Sequence, residues 1–250
     1  MGSRLRQRGF TLVELLVIVA ILALLMSLLM PTLRQARVLT IRTVCCNRVR
    51  AILTGSFNYA SQNRDFFPYR KNPVQPHMMW NSSTDPAQSY DLHETFFKKY
   101  VPIDISRTIV SGGTTYEVND ADSVMFCPGP LKQVRGPEVS GWNSYSGYAY
   151  RYSTYQYLNM YRPGAITILG DPMPDLRHQN APARYALWTC LTVDKGGGWF
   201  LAHDVPYRRQ NPSGQSAGFL SGAVAWTEWG DCEPYFRDSG NQDYYWPIPR

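Results

Sequence analysis

From Phe10 to Met30 the chain runs through 21 residues with one charged side chain, Glu14. As a helix this stretch is about 31 Å long, close to the hydrocarbon thickness of a bilayer. The apolar region of a secretory signal is shorter, about 7–15 residues, and a small-residue cleavage site follows it. Here the run ends in "LLMPTLRQ" without an A-x-A, so a retained anchor is expected. Beyond Pro31 the helical pattern resumes. Val38, Ile41, Cys45, Val49 and Ile52 recur at helical spacing, while Arg37, Arg42, Arg48 and Arg50 fall on other faces. Gly55 weakens the pattern, Phe57 and Tyr59 extend it, and Pro68 and Pro73 in "NRDFFPYRKNP" stop it. The expectation is one helix from about residue 10 to about 62, roughly 75–80 Å long. Pro31 lacks an N–H and crowds the preceding turn, so a kink or local melting is expected there.

From about Phe66 the chain changes to short apolar runs among Pro, Gly, Tyr and Trp. "SVMFCPGP" (123–130) reads as a short strand ended by Cys127-Pro128. Tyr148, Tyr150 and Tyr152 alternate, as do Tyr155 and Tyr157, which suits strands. "AITILGDP" (165–172) and "GWFLAHD" (198–204) read as further strands. "AGFLSGAVAWTEW" (217–229) reads as a hairpin turning at Ser221-Gly222. The expected class is α+β, a long N-terminal helix laid on an antiparallel sheet with long loops. Residues 1–9 precede the apolar run, 10–30 form its membrane half, 31–62 an amphipathic half, and 63–250 a β-rich domain.

Charge changes this picture in one respect. The net charge of +6 is not spread over the chain. Residues 1–64 hold nine arginines and one acid, a net of +8, whereas residues 65–250 carry a net of −2. The basic charge flanks the apolar run, so it gives no reason to expect a nucleic-acid partner. Three arginines lie before that run and five soon after it, so counting charge leaves the membrane orientation open. The five cysteines (45, 46, 127, 190 and 232) show no C-x-x-C spacing, and zinc-type spacing is absent. In an exported domain, one or two disulfides with one thiol left over is the simplest reading, with the connectivity open.

Glu14 is the residue that needs explaining. A carboxylate at mid-bilayer costs about 2.5–3.5 kcal/mol on insertion scales, less near the interface. Its surroundings supply a reason. A basic leader, "MGSRLRQRG", contains no acid and ends in Gly9; then come Phe10, Thr11-Leu12-Val13-Glu14 and the apolar run to Pro31. Over residues 4–35 this resembles the class III signal of type IV pilins and type II secretion pseudopilins. The resemblance implies a pilin-like fold and a bacterial prepilin held in the inner membrane by a single pass. A prepilin peptidase would cut between Gly9 and Phe10 on the cytoplasmic side and N-methylate Phe10. The globular domain would be periplasmic, or at the cell surface after assembly. Gly9, with no side chain, lets the backbone enter a narrow active site extended. In the family, the acid at the position of Glu14 meets the terminal amine of a neighbouring subunit. That pairing offsets the cost of burying it and sets the register of assembly. Pro31 would soften the helix for bundling. The partners implied are the peptidase, other pilin-like subunits, an inner-membrane assembly platform and the membrane.

Beyond the anchor, "CCNRVRAILTGSFNYASQNRDFFP" resembles the large pseudopilin-like family abundant in planctomycetes, through Cys46-Asn47, Ile52, Tyr59 and Phe67-Pro68. "MFCP" (125–128) resembles that family's later Cys-Pro element, which implies a disulfide from Cys127 to Cys46, or to Cys45, stapling helix to sheet. His203, Gly214 and "GFLSGAVAW" match its C-terminal region loosely, with Ser221 where an Asp would stand.

Signatures of catalysis are absent. The four histidines are scattered, "GGG" at 196–198 lacks a following lysine, and there is no G-x-S-x-G. No enzyme activity, cofactor or metal site is expected. Calcium, bound by some secretion pseudopilins, has Asp171 and Asp175 as its candidate ligands, and an ordinary turn accounts for that pair. The Trp and Tyr content reads as core and strand packing more than as a sugar-binding face. A membrane-tethered envelope protein, binding polysaccharide through such a face, is the rival reading. An anchored hydrolase is a second rival, disfavoured by the missing motifs.

Overall fold

The computed structural model describes residues 12–68, 75–81, 90–102, 105–111, 114–119, 124–130, 143–145, 148–158, 181–238 and 240–248. Helix α1 (Leu12–Gln62) is continuous, as the hydrophobic pattern predicts. It also continues through Pro31, so the local melting expected there does not occur. Proline removes only one N–H from the ladder, and good helix formers flank it on both sides.

The chain divides into two compact units, Met1–Ile41 and Arg42–Arg250. In the first, α1 exposes its apolar side chains, among them Leu15, Leu22 and Leu28. The helix is long and apolar enough to cross a membrane.

In the second unit α1 is amphipathic. Cys45, Val49, Ile52, Leu53, Ser56 and Ala60 are buried, a stripe at i, i+4, i+7, i+8, i+11 and i+15. The described strands are β1 (Met78–Asn81), β2 (Tyr90–Asp91), β3 (Ile105–Ser111), β4 (Thr114–Asn119), β5 (Asn143–Tyr145), β6 (Tyr148–Tyr152), β7 (Tyr155–Tyr157) and β8 (Ala186–Cys190). They continue with β9 (Val193–Asp194), β10 (Phe200–Leu201), β11 (Pro206–Arg208), β12 (Gly214–Phe219), β13 (Val224–Glu228), β14 (Cys232–Arg237) and β15 (Asp243–Pro247). They pair antiparallel in the orders β2-β1-β6-β5, β11-β10-β9-β15-β14, β13-β12-β8-β7 and β3-β4. The α+β class expected from the sequence is the class observed.

The helix is seated on the β13-β12-β8-β7 sheet. Gly218 on β12 leaves room for Val49 and Leu53; a Cβ there would lie 2.9 Å from Val49 Cγ1. On the neighbouring β8, Trp188 is fully buried and donates its indole N–H to Ser56 Oγ at 2.9 Å. Tyr157 stacks on Trp188 at 4.3 Å, and Phe97 meets it edge-on at 5.8 Å. Tyr155, Tyr235 and Tyr244 are also buried, so most of the described aromatic side chains build the core. Trp199 and Tyr207 are exposed and lie against each other at 5.2 Å.

Two of the expected strand patterns are observed and two are corrected. The tyrosine alternation becomes β6 and β7, and the hairpin at Ser221-Gly222 becomes β12–β13. The short strand expected to end at Cys127-Pro128 is not formed; residues 124–130 make turns and bends instead. Two prolines remove ladder donors, and the Cys127 N–H is taken by Thr154 Oγ1 while Met125 O accepts the Thr154 N–H. Of "GWFLAHD" only Phe200–Leu201 is strand, because Ala202 and Val205 exchange backbone hydrogen bonds of 2.9 and 3.3 Å and close a turn that carries His203. The expected strand at 165–172 lies outside the described residues.

Candidate metal centre

Four segments distant in sequence bring soft donor atoms to one point. Cys45 projects from α1, Cys127 from the turn at 124–130, Cys190 from the end of β8, and His203 from the turn between β10 and β11. Their donor atoms all lie within 4.8 Å of one another, and all four residues are buried. Cys45 Sγ is 3.8 Å from Cys127 Sγ and 3.7 Å from Cys190 Sγ. His203 Nδ1 is 2.9 Å from Cys127 Sγ and 3.6 Å from Cys190 Sγ.

Each donor has a structural reason for its position. Cys45 lies four residues before Val49, on the buried stripe of α1. Cys190 pairs with Tyr155 across β7–β8, and the Tyr155 hydroxyl is 3.6 Å from Cys45 Sγ. The turn holding Cys127 is fixed by Thr154 and by Arg48, whose guanidinium donates to Phe126 O. The backbone N–H of Gly129 donates to Cys127 Sγ at 3.5 Å. A side chain at 129 is excluded, since its Cβ would stand 2.5 Å from the carbonyl oxygen of His203. The His203 ring packs edge-on against Trp226 at 5.0 Å, and the Arg42 guanidinium lies over the Trp226 ring, 4.2 Å from its centroid.

The thiols do not titrate alike. Burial pushes Cys127 and Cys190 well above the ordinary thiol value. Burial also opposes ionisation of Cys45, but the neighbouring Cys127, Cys190 and His203 side chains outweigh it and hold Cys45 well below that value.

The disulfide implied for Cys127 took Cys46 or Cys45 as its partner. The structure places Cys45 next to Cys127, together with Cys190 and His203, and Cys46 elsewhere. Consecutive helix positions point about 100° apart, and Cys46 is half-buried with Ser216 beside its thiol. All five cysteines are free thiols. Cys232 stands apart, 3.4 Å from Gln215 Nε2. Nothing in the sequence connects Cys190 and His203 to this cluster, and the cysteines lack zinc-type spacing. Local spacing could not have found a site whose donors come from four separate segments.

Of the other residues singled out, Glu14 and Pro31 lie in the exposed first part of α1. Gly9, Phe10, Asp171 and Asp175 lie outside the described residues. The "GGG" turn has a structural role: the Asp194 carboxylate accepts the N–H groups of Gly196 and Gly198 at 2.8 and 3.3 Å.

Residues 4–30 match the family model described as the prokaryotic N-terminal methylation motif. The chain carries a pilin-type methylation motif. Motif, long apolar helix and antiparallel sheets are together consistent with a pilin-like subunit. Neither a curated protein nor a solved structure matches this chain.

Proposed function

We propose that this chain is a non-catalytic filament subunit, made as a prepilin, cut between Gly9 and Phe10 and N-methylated at Phe10. It then assembles into a type II secretion pseudopilus or a type IV pilus-like filament. The observation that carries this reading is the methylation motif at residues 4–30, continuous with an apolar helix. From Leu12 to Leu29 that helix exposes its large apolar side chains. Such a surface needs lipid before assembly and neighbouring helices after it. The single pass is inserted in the inner membrane with the leader in the cytoplasm and the sheet domain in the periplasm. Glu14, in the first turn of α1, meets the methylated amine of Phe10 on an adjacent subunit. That contact fixes the stagger between subunits, because a carboxylate in an apolar bundle is best accommodated beside a cation.

Mass spectrometry of the mature N-terminus, in cells with and without the prepilin peptidase, tests the proposal. A chain beginning at Phe10 with one added methyl, lost when the peptidase is deleted, is expected. An uncut N-terminus in both strains refutes it and leaves a membrane-tethered envelope protein.

A further inference from the structure

We propose that Cys45, Cys127, Cys190 and His203 hold one zinc(II) ion, a closed structural site that clamps α1 to the sheet domain. This inference is independent of the filament reading and goes beyond it.

The geometry points to a common ion at the centre of the four donors. With Zn–S near 2.3 Å and Zn–N near 2.0–2.1 Å, a tetrahedral site separates sulfurs by about 3.8 Å and a sulfur from a nitrogen by about 3.5–3.6 Å. The two sulfur separations at Cys45, 3.8 and 3.7 Å, and the 3.6 Å from Cys190 to His203 Nδ1 agree with that figure. The separation from Cys127 to His203 is shorter, 2.9 Å, and lengthens when an ion takes the centre.

Donor chemistry favours zinc. Three thiolates and an imidazole in a tetrahedron suit zinc, whereas calcium and magnesium take oxygen. All four donors come from the protein and all are buried, so no coordination position is left for substrate or water. That is the structural rather than the catalytic form of a zinc site. The surroundings resemble those of a bound thiolate as well. The Gly129 N–H donates to Cys127 Sγ, and the Tyr155 hydroxyl stands by Cys45 Sγ.

Charge and protons balance as follows. As the ion enters, the three cysteines lose their thiol protons to solvent. His203 coordinates through Nδ1 as a neutral imidazole, keeping its proton on Nε2. Three negative charges and one divalent cation leave a net charge of −1. The ion would link residues 45, 127, 190 and 203, tying the helix to three otherwise separate loops and strands. A single disulfide could join only two of them.

The test uses the purified full chain in detergent, prepared without chelator. Metal analysis should find about one zinc per chain. The same stoichiometry should persist in Cys46→Ser and Cys232→Ser, which change cysteines outside the cluster. Cys190→Ser should hold zinc at least about 100-fold more weakly in competition with a chelator, given that loss of even supporting contacts costs 10–100-fold. Cobalt(II) is a second probe, since tetrahedral thiolate coordination gives it a visible ligand-field band. His203→Cys keeps four ligands and should retain the ion while its cobalt spectrum shifts towards that of four thiolates. This variant decides the matter if Cys190→Ser does not fold. Folded protein with free thiols and no affinity for zinc would overturn the proposal. So would iron in place of zinc, an unshifted cobalt spectrum in His203→Cys, or a disulfide within the cluster, seen as the loss of two hydrogens.

Discussion

At Gly218 the sheet comes close to the helix, and Gly218→Ala tests that contact. The new Cβ would stand 2.9 Å from Val49 Cγ1 and 3.3 Å from Leu53 Cδ2. Carbon atoms pack best at about 3.5–4.0 Å, so the helix must move away by roughly 0.6 Å or more, or Val49 must leave its rotamer. Overpacking of this kind costs about 1–3 kcal/mol, and the reduced freedom of the unfolded chain returns about 0.4–1 kcal/mol. The expected net loss is about 1–2 kcal/mol. Val49→Ala alone removes two buried methyl groups from a fully buried residue, costing about 2–3 kcal/mol including the cavity. In the double variant the alanine methyl at 218 occupies space vacated at 49. The pair should therefore be more stable than the sum of the single changes by about 1 kcal/mol or more. Denaturant unfolding of the full chain in detergent, followed by tryptophan fluorescence, measures all four proteins; Trp188 lies beside the contact. Additivity within about 0.5 kcal/mol would refute the seating of α1 on Gly218.

Ser56→Ala should destabilise the chain by about 1–3 kcal/mol, because it strands the buried indole N–H of Trp188; an unchanged denaturation midpoint would contradict this. Burial pushes the Cys232 thiol up to about 11. At pH 8 its thiolate fraction should fall from about one in ten, for an ordinary thiol, to about one in a thousand, and rise about tenfold per pH unit until near pH 11. Alkylation of Cys232 at pH 8, measured by peptide mass spectrometry, should be about 100-fold slower in the folded than in the denatured chain. Equal rates would show that its burial is not maintained.

The sequence by itself determined the parts of this protein that depend on local order. A basic stretch, the string from Gly9 to Glu14, and an apolar run to Pro31 are contiguous, so the methylation motif and a helix long enough to cross a membrane can be read directly. The phase of α1 is equally legible, because Cys45, Val49 and Ile52 share a face whatever that face packs against. The same periodicity separates Cys45 from Cys46, since neighbours on a helix point in different directions. What the sequence could not supply was the identity of the opposite surface. Only the tertiary structure shows that the stripe meets Gly218 and Trp188. Only the fold brings Cys127, Cys190 and His203 to Cys45, across 82, 145 and 158 positions of chain. Spacing rules detect a metal site when one turn or hairpin supplies two ligands. Here each ligand is fixed by a different local cause: the helix stripe, a proline-rich turn, the end of β8, and the turn after β10. Their convergence is a property of how the helix is laid on the sheet, and that is decided by packing rather than by any neighbouring pair of residues.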